Sequence, residues 1–181
     1  MPAIVALLAV IAVLAVLVRR QRLALRLLAE ESRHDPLTGL ANRRALPPHW
    51  ARLAEPSLVL IDLIGFKAVN DHHGHIVGDA LLRQVAARLQ AAVPPPGLLV
   101  RWGGDEFAAL AAADDVDSLL RRFDDALRPP FDLSAAGGPA NSRISARTGV
   151  ADGAPSLAAA EGAAARALLD AKGSEPSAEA G

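Results

Sequence analysis

A chain of 181 residues, 51% of them hydrophobic, has room for one globular domain and a short appendage. Its net charge of −1, with no basic half, argues against a binder of polymeric DNA or RNA. It has no cysteine, which excludes disulfide scaffolds and thiolate metal sites.

Pro2 to Val18 is a run of 17 residues without a charge. As a helix it spans roughly 26 Å, the short edge of what a bilayer core needs. Arg19, Arg20, Arg22 and Arg26 follow at once. The excess of positive charge after the run directs the downstream chain to the cytoplasm. A cleaved signal peptide is the rival reading and fits worse, because its basic residues should precede the apolar run. The sequence therefore predicts a transmembrane helix over residues 1–18 and a helical linker over 19–33. A domain over 34–172 and a disordered polar tail over 173–181 follow. The expected location is the inner or cell membrane, single-pass, with the domain cytoplasmic.

From Asp35 the punctuation changes. Asp35-Pro36 opens a turn, and Asn42-Arg43-Arg44 starts a helix that Pro47, Pro48 and Pro56 bound. Ser57 to Leu63 is a short apolar run between breakers, the mark of a buried strand. Phe66 to Asn70 reads as helix, His72 to Gly78 as a loop, and Asp79 to Val93 as a helix ended by Pro94-Pro95-Pro96-Gly97. Leu98 to Trp102 and Asp105 to Leu110 form a hairpin about Gly103-Gly104. A helix over Asp117 to Leu127, a strand over Ile144 to Val150 and an Ala-rich helix over Leu157 to Lys172 complete the domain. This order predicts an α/β (α+β) fold with a central sheet.

Three acidic residues carry the chemistry. Asp62 ends the buried strand, and Asp105 and Glu106 follow the Gly-Gly turn. If the hairpin pairs beside the Asp62 strand, the carboxylates converge at one sheet edge with no compensating Lys nearby. Mg²⁺ takes such hard oxygen ligands, typically one or two carboxylates plus substrate phosphates. The plain alternative is that Asp105 and Glu106 are ordinary turn residues and that Gly103-Gly104 is only a good turn. His72, His73 and His75 are close in sequence, but three His within four loop residues seldom face one centre; His72 and His73 read as solvated, and His75 belongs with the Gly-His pair of the loop.

Three longer stretches resemble one family. RWGGDEFAAL (Arg101 to Leu110) resembles the signature of the GGDEF family of diguanylate cyclases. DPLTGLANRR (Asp35 to Arg44) resembles its opening motif, and DLIGFKAVNDHHGHIVGD (Asp62 to Asp79) its D-x-D-x-F-K-x-x-N-D…G-H…G-D block. The resemblance implies a palm-like domain, a central antiparallel-rich sheet wrapped by helices. It also implies condensation of two GTP into cyclic di-GMP by a homodimer using Mg²⁺, or Mn²⁺. By position, Asp62, Asp105 and Glu106 would be catalytic. Asp62, Asp105 and the carbonyl of Leu63 would hold the metal. Asn70 and Asp79 would read guanine, Gly103 and Gly104 would let the triphosphate approach, and Lys67 and Lys172 would meet phosphate.

Several residues depart from the family pattern. The second Asp of D-x-D is Ile64. ISARTGV (Ile144 to Val150) resembles a strand read as T-x-S-x-G-V. ALLDAK (Ala167 to Lys172) resembles A-L-Y-x-A-K, but Gly173 is followed by Ser174, not the family's Arg. The R-x-x-D of the family's inhibitory product site is replaced by Pro94 and Gly97. A degenerate domain that binds GTP and regulates a partner is the second reading.

Overall fold

An apolar run buried on both faces need not alternate with polar residues, and Ser57 to Leu63 does not. In the computed structural model, which describes Ile11, residues 14–21 and residues 33–173, this run lies in strand β2. Along the chain come β1 (Ala41–Asn42), helix α1 (Leu46–Trp50), β2 (Pro56–Ile64), α2 (Phe66–His73) and α3 (His75–Ala92). β3 (Leu98–Gly103), β4 (Glu106–Ala112), α4 (Val116–Leu127), β5 (Ser145–Ala151) and α5 (Leu157–Gly173) follow. The five strands form one sheet in the order β1-β3-β4-β2-β5. β1 runs parallel to β3, and the other neighbours are antiparallel.

Both faces of the sheet are covered. On one, Val59, Ile61 and Leu63 pack with Leu81, Val85 and Leu89 of α3 and Leu119 and Phe123 of α4. On the other, Leu58 and Leu60 pack with Leu46 of α1 and Ala160, Ala164 and Leu168 of α5. The small residues of α5 let it approach β5 closely. A Cβ on Gly149 would run into the Ala164 carbonyl and come within 2.5 Å of the Leu168 nitrogen. This contact of helix against bare backbone brings the last turn of α5 over the end of β2.

The sheet and most helices follow the expectation, with two corrections. Asn42-Arg43-Arg44 opens a helical segment as expected: Asn42 ends β1, and its side chain accepts from the Arg44 N–H at 3.0 Å to cap a 3-10 turn over Arg43–Ala45 that runs directly into α1. Pro47 and Pro48 do not bound a helix but lie in the first turn of α1, where a missing N–H costs nothing. His72 to Gly78 is not a loop. α2 and α3 abut across Gly74 alone, which takes φ 81° and ψ 166°, a conformation that only glycine adopts at little cost.

The chain divides into two units, Met1–Arg33 and His34–Gly181. In the first, residues 14–21 are helical, with Leu14, Val16, Leu17 and Val18 exposed. Eight residues of helix reach about 12 Å. Among the described residues no helix is long and apolar enough to cross a membrane. Most of the span expected over 1–18, most of the linker over 19–33 and the tail beyond Gly173 lie outside the described residues.

Candidate active site

The register of three strands builds one row of charge. Asp62 of β2 faces Glu106 of β4 on one side and Arg147 of β5 on the other. Directly opposed residues in antiparallel strands share a face, so all three project toward α5. From the last turn of α5, Lys172 Nζ reaches Asp62 Oδ1 at 3.0 Å. Arg147 Nη1 lies 3.9 Å from Asp62 Oδ2. The Asp62 side chain is only 13% exposed. The expectation that no Lys compensates these carboxylates is thereby corrected: α5 supplies one from the far end of the chain.

Asp105 sits in the turn between β3 and β4, and its carbonyl accepts from the Leu63 N–H at 3.4 Å. The hairpin tip is thus tied to β2 one residue beyond Asp62. The side chain of Leu63 is buried in the core, leaving its backbone to act in the site. Gly104 has φ 53°, and neither Gly103 nor Gly104 has any protein atom within 4 Å of where a Cβ would stand. The protein's own packing therefore does not demand glycine at 103. Open space over two adjacent glycines suits a ligand lying against the backbone. Beside the turn is a cavity of about 360 Å³ lined by Asn42, Arg43, Arg44 and Arg101. A second, of about 230 Å³, lies between Trp102 and Glu106 and the Leu168 to Lys172 end of α5.

Asn70 and Asp79 come from α2 and α3, the helices that meet at Gly74. Asn70 Oδ1 is buried without a hydrogen-bond partner. It lies against Gly78, where a Cβ would collide with it. An unpaired buried acceptor is costly and calls for a donor. Asp79, half-buried one residue beyond Gly78, is an acceptor of the same kind. Lys67 is exposed on α2. The structure thus gathers Asp62, Glu106 and Lys172 at one edge, ties Asp105 to Leu63, and sets Asn70 against the turn of helix that carries Asp79. Among the described residues no group of three or more His, Asp or Glu is arranged to hold a metal ion. The donors near Asp62 are nevertheless hard oxygens of the type Mg²⁺ accepts.

Sequence reasoning missed Arg147. The signal was present: when Gly149-Val150 is set on the G-V of T-x-S-x-G-V, Arg147 stands where the motif has Ser. It also missed the role of Arg101. This residue pairs with Asp35, and its Nε and Nη2 donate to the Gly104 carbonyl at 3.1 and 2.7 Å. Arg43, stacked 4.1 Å from the Trp102 ring centroid and paired with Glu161, ties α5 to the same hairpin.

The sequence profile described as "Diguanylate cyclase, GGDEF domain" matches residues 32–174. The chain belongs to the GGDEF family. Among solved structures it resembles the GGDEF domain of TpbB, also called YfiN, from Pseudomonas aeruginosa. That likeness has a TM-score of 0.69 at 28% identity and covers 78% of this chain and 90% of the other. The coiled coil and GGDEF domain of DgcB from Caulobacter crescentus, solved in complex with c-di-GMP, gives a TM-score of 0.64 at 26% identity, covering 93% of this chain and 96% of that one. The probable diguanylate cyclase DgcE of Escherichia coli K12 is 40% identical over 109 residues, which is 56% of this chain and 10% of DgcE. The chain spans at most 40% of the length of the curated relatives it matches. The mixed five-stranded sheet flanked by helices is the fold of this GGDEF family.

Proposed function

We propose that this domain is a diguanylate cyclase. The observation that carries the reading is the pairing of Asp62 with Glu106 on adjacent strands, beside an open Gly103-Gly104 turn. Asn70 and Asp79 accept from the guanine of one GTP, and its phosphates lie along Gly103 and Gly104. Lys172 and Lys67 meet phosphate oxygens as point charges. Asp62, Asp105 and the Leu63 carbonyl would hold Mg²⁺ or Mn²⁺, which when bound lowers the cost of the charge that builds up in phosphoryl transfer. Each domain holds one GTP and so half of a site. In a homodimer the 3′-hydroxyl of one GTP attacks the α-phosphate of the other. A P–O bond forms to the incoming ribose oxygen, the bond to pyrophosphate breaks, and the hydroxyl proton is lost. Repeating this from the other side closes the ring. Residues 1–18 as an anchor, with the domain on the cytoplasmic side where GTP is found, belong to the same proposal and rest on the charge asymmetry around Arg19.

One observation favours a second reading, a GTP-binding module that regulates a partner without making product: Arg147 and Lys172 both bear on Asp62. A single experiment separates the two. The full chain is incubated with GTP and Mg²⁺ and the nucleotides are resolved by chromatography. Cyclic di-GMP and pyrophosphate are expected. Bound GTP without product would leave the module.

A further inference from the structure

Lys172 and a divalent cation compete for the same atom. The ammonium stands 3.0 Å from Asp62 Oδ1, whereas a metal ligated by that oxygen would need to sit at about 2.0–2.1 Å from it. An ammonium and a divalent ion on the same carboxylate oxygen would stand only a few ångströms apart, and their repulsion weakens the hold of each. We infer that Lys172 closes Asp62 to a bare metal ion and opens it when a phosphate-bearing ligand draws the ammonium away. The inference rests on the reading of Asp62 as a metal ligand and adds the order in which that site fills.

Three observations support the exchange. Lys172 is the mobile member of the group: it stands in the last turn of α5, its side chain is 37% exposed, and its stem is a flexible chain ending in a compact charge. Arg147 is the fixed member, projecting from the middle of β5, 22% exposed, and farther from the carboxylate at 3.9 Å. The Gly103-Gly104 turn is near, because Trp102 lines both the cavity that holds Lys172 and the separate cavity along the two glycines. When the ammonium turns to a triphosphate, Asp62 keeps Arg147 as a weaker partner and regains the charge that attracts a metal. Metal and nucleotide then bind with positive coupling, and by linkage each tightens the other.

The test measures Mn²⁺ alone, by electron paramagnetic resonance, on the full chain without nucleotide. Lys172→Met should bind Mn²⁺ about two- to fivefold more tightly than the unmodified chain, the range of one part-exposed ion pair. Adding Asp62→Asn should remove that gain. With a non-hydrolysable GTP analogue present, the same Lys172→Met chain should bind the nucleotide more weakly, and the coupling between metal and nucleotide should shrink. A side chain that merely held the fold would not shift the two ligands in opposite directions. The inference is overturned if Lys172→Met leaves Mn²⁺ binding unchanged or weaker while Asp62→Asn still abolishes it. It is equally overturned if neither chain binds Mn²⁺ alone although both do so with nucleotide. Should Asp62→Asn have no effect on Mn²⁺ under any condition, the metal assignment itself falls.

Discussion

Arg101 Nη1 lies 3.1 Å from both carboxylate oxygens of Asp35, joining the β3 strand of the hairpin to the turn that opens the domain. The Thr38 N–H and hydroxyl donate to the same Asp35 oxygen at 2.8 and 2.7 Å. Through its other nitrogens Arg101 holds the Gly104 carbonyl. One guanidinium thus fixes both the entry of the chain and the glycine turn of the site. Asp35→Ala should cost about 1.5–3 kcal/mol, the range for hydrogen bonds to a charged group. Denaturant unfolding of the chain checks this. A loss below about 0.5 kcal/mol would show that the pair is not held in solution.

The same contacts set a pH dependence. Burial pushes the Asp35 carboxyl up, but the Thr38 hydroxyl and N–H and the Arg101 guanidinium together outweigh it and hold the group below the usual carboxylate value. With the folded pKa depressed, the unfolded chain binds the proton first. The stabilisation is therefore complete above the unfolded value of about 3.9 and is lost as pH falls through the lower folded value. The difference in stability between the unmodified chain and Asp35→Asn should be flat from neutral pH down to about pH 5 and should shrink below about pH 4. A difference that grew on acidification would contradict the assignment.

What the sequence disclosed and what it hid differ by range. β2 and the hairpin were legible because apolar runs between breakers are local signals, and α3 because Leu82, Val85 and Leu89 recur at helical spacing. The stretch from His72 to Gly78 misled because its glycines and histidines resemble loop composition. A single glycine at position 74 is enough to separate two helices. β1 is two residues long and pairs with a strand far along the chain, so it leaves no periodicity to read. The charge row is hidden for the same reason. Asp62, Arg147 and Lys172 come from three distant elements, and only the register of β2 with β5 and the bare backbone at Gly149 bring them together.

Asp105→Ala should abolish formation of cyclic di-GMP while changing stability by no more than about 0.5 kcal/mol. The contact that the turn makes with β2 runs through the Asp105 carbonyl, which alanine keeps. Turnover is read by chromatography and folding by thermal unfolding. Full turnover in this variant would remove Asp105 from the machinery.

Gly78→Ala separates nucleotide from metal. Alanine favours a helix interior by about 1 kcal/mol over glycine, so the helix itself gains. The new Cβ, however, would run into Asn70 Oδ1, stand 2.9 Å from its Cγ and 3.3 Å from Phe66 Cζ. The Asn70 amide is the end of a rotatable side chain and can swing aside. The fold should survive while the guanine contact is lost. GTP affinity should fall about tenfold, the worth of one or two hydrogen bonds, with the binding of Mn²⁺ alone unchanged. Calorimetric titration with GTP checks it. An unaltered affinity would mean that Asn70 does not touch the base.

The loop from Pro94 to Gly97 should bind no cyclic di-GMP and mediate no feedback. A site for this product must meet two phosphates and two guanines, work for which the planar fork of Arg is suited. The family pattern puts Arg and Asp where this chain has Pro94 and Gly97. Proline offers no donor and glycine only its backbone, and here the Gly97 N–H is already given to the Pro94 carbonyl at 2.8 Å. Nor can the missing side chain be added freely. A Cβ on Gly97 would stand 2.8 Å from the Leu110 carbonyl in β4 and 2.8 Å from Val93 Cγ1. The carbonyl is strand backbone and cannot swing away. Pro94→Arg combined with Gly97→Asp should therefore lower stability by about 1–3 kcal/mol instead of creating an inhibited enzyme. Calorimetry with cyclic di-GMP on both chains, alongside denaturant unfolding, decides it. Tight binding to the unmodified chain that disappears when residues 94–97 are replaced would show that the loop reads the product through its backbone.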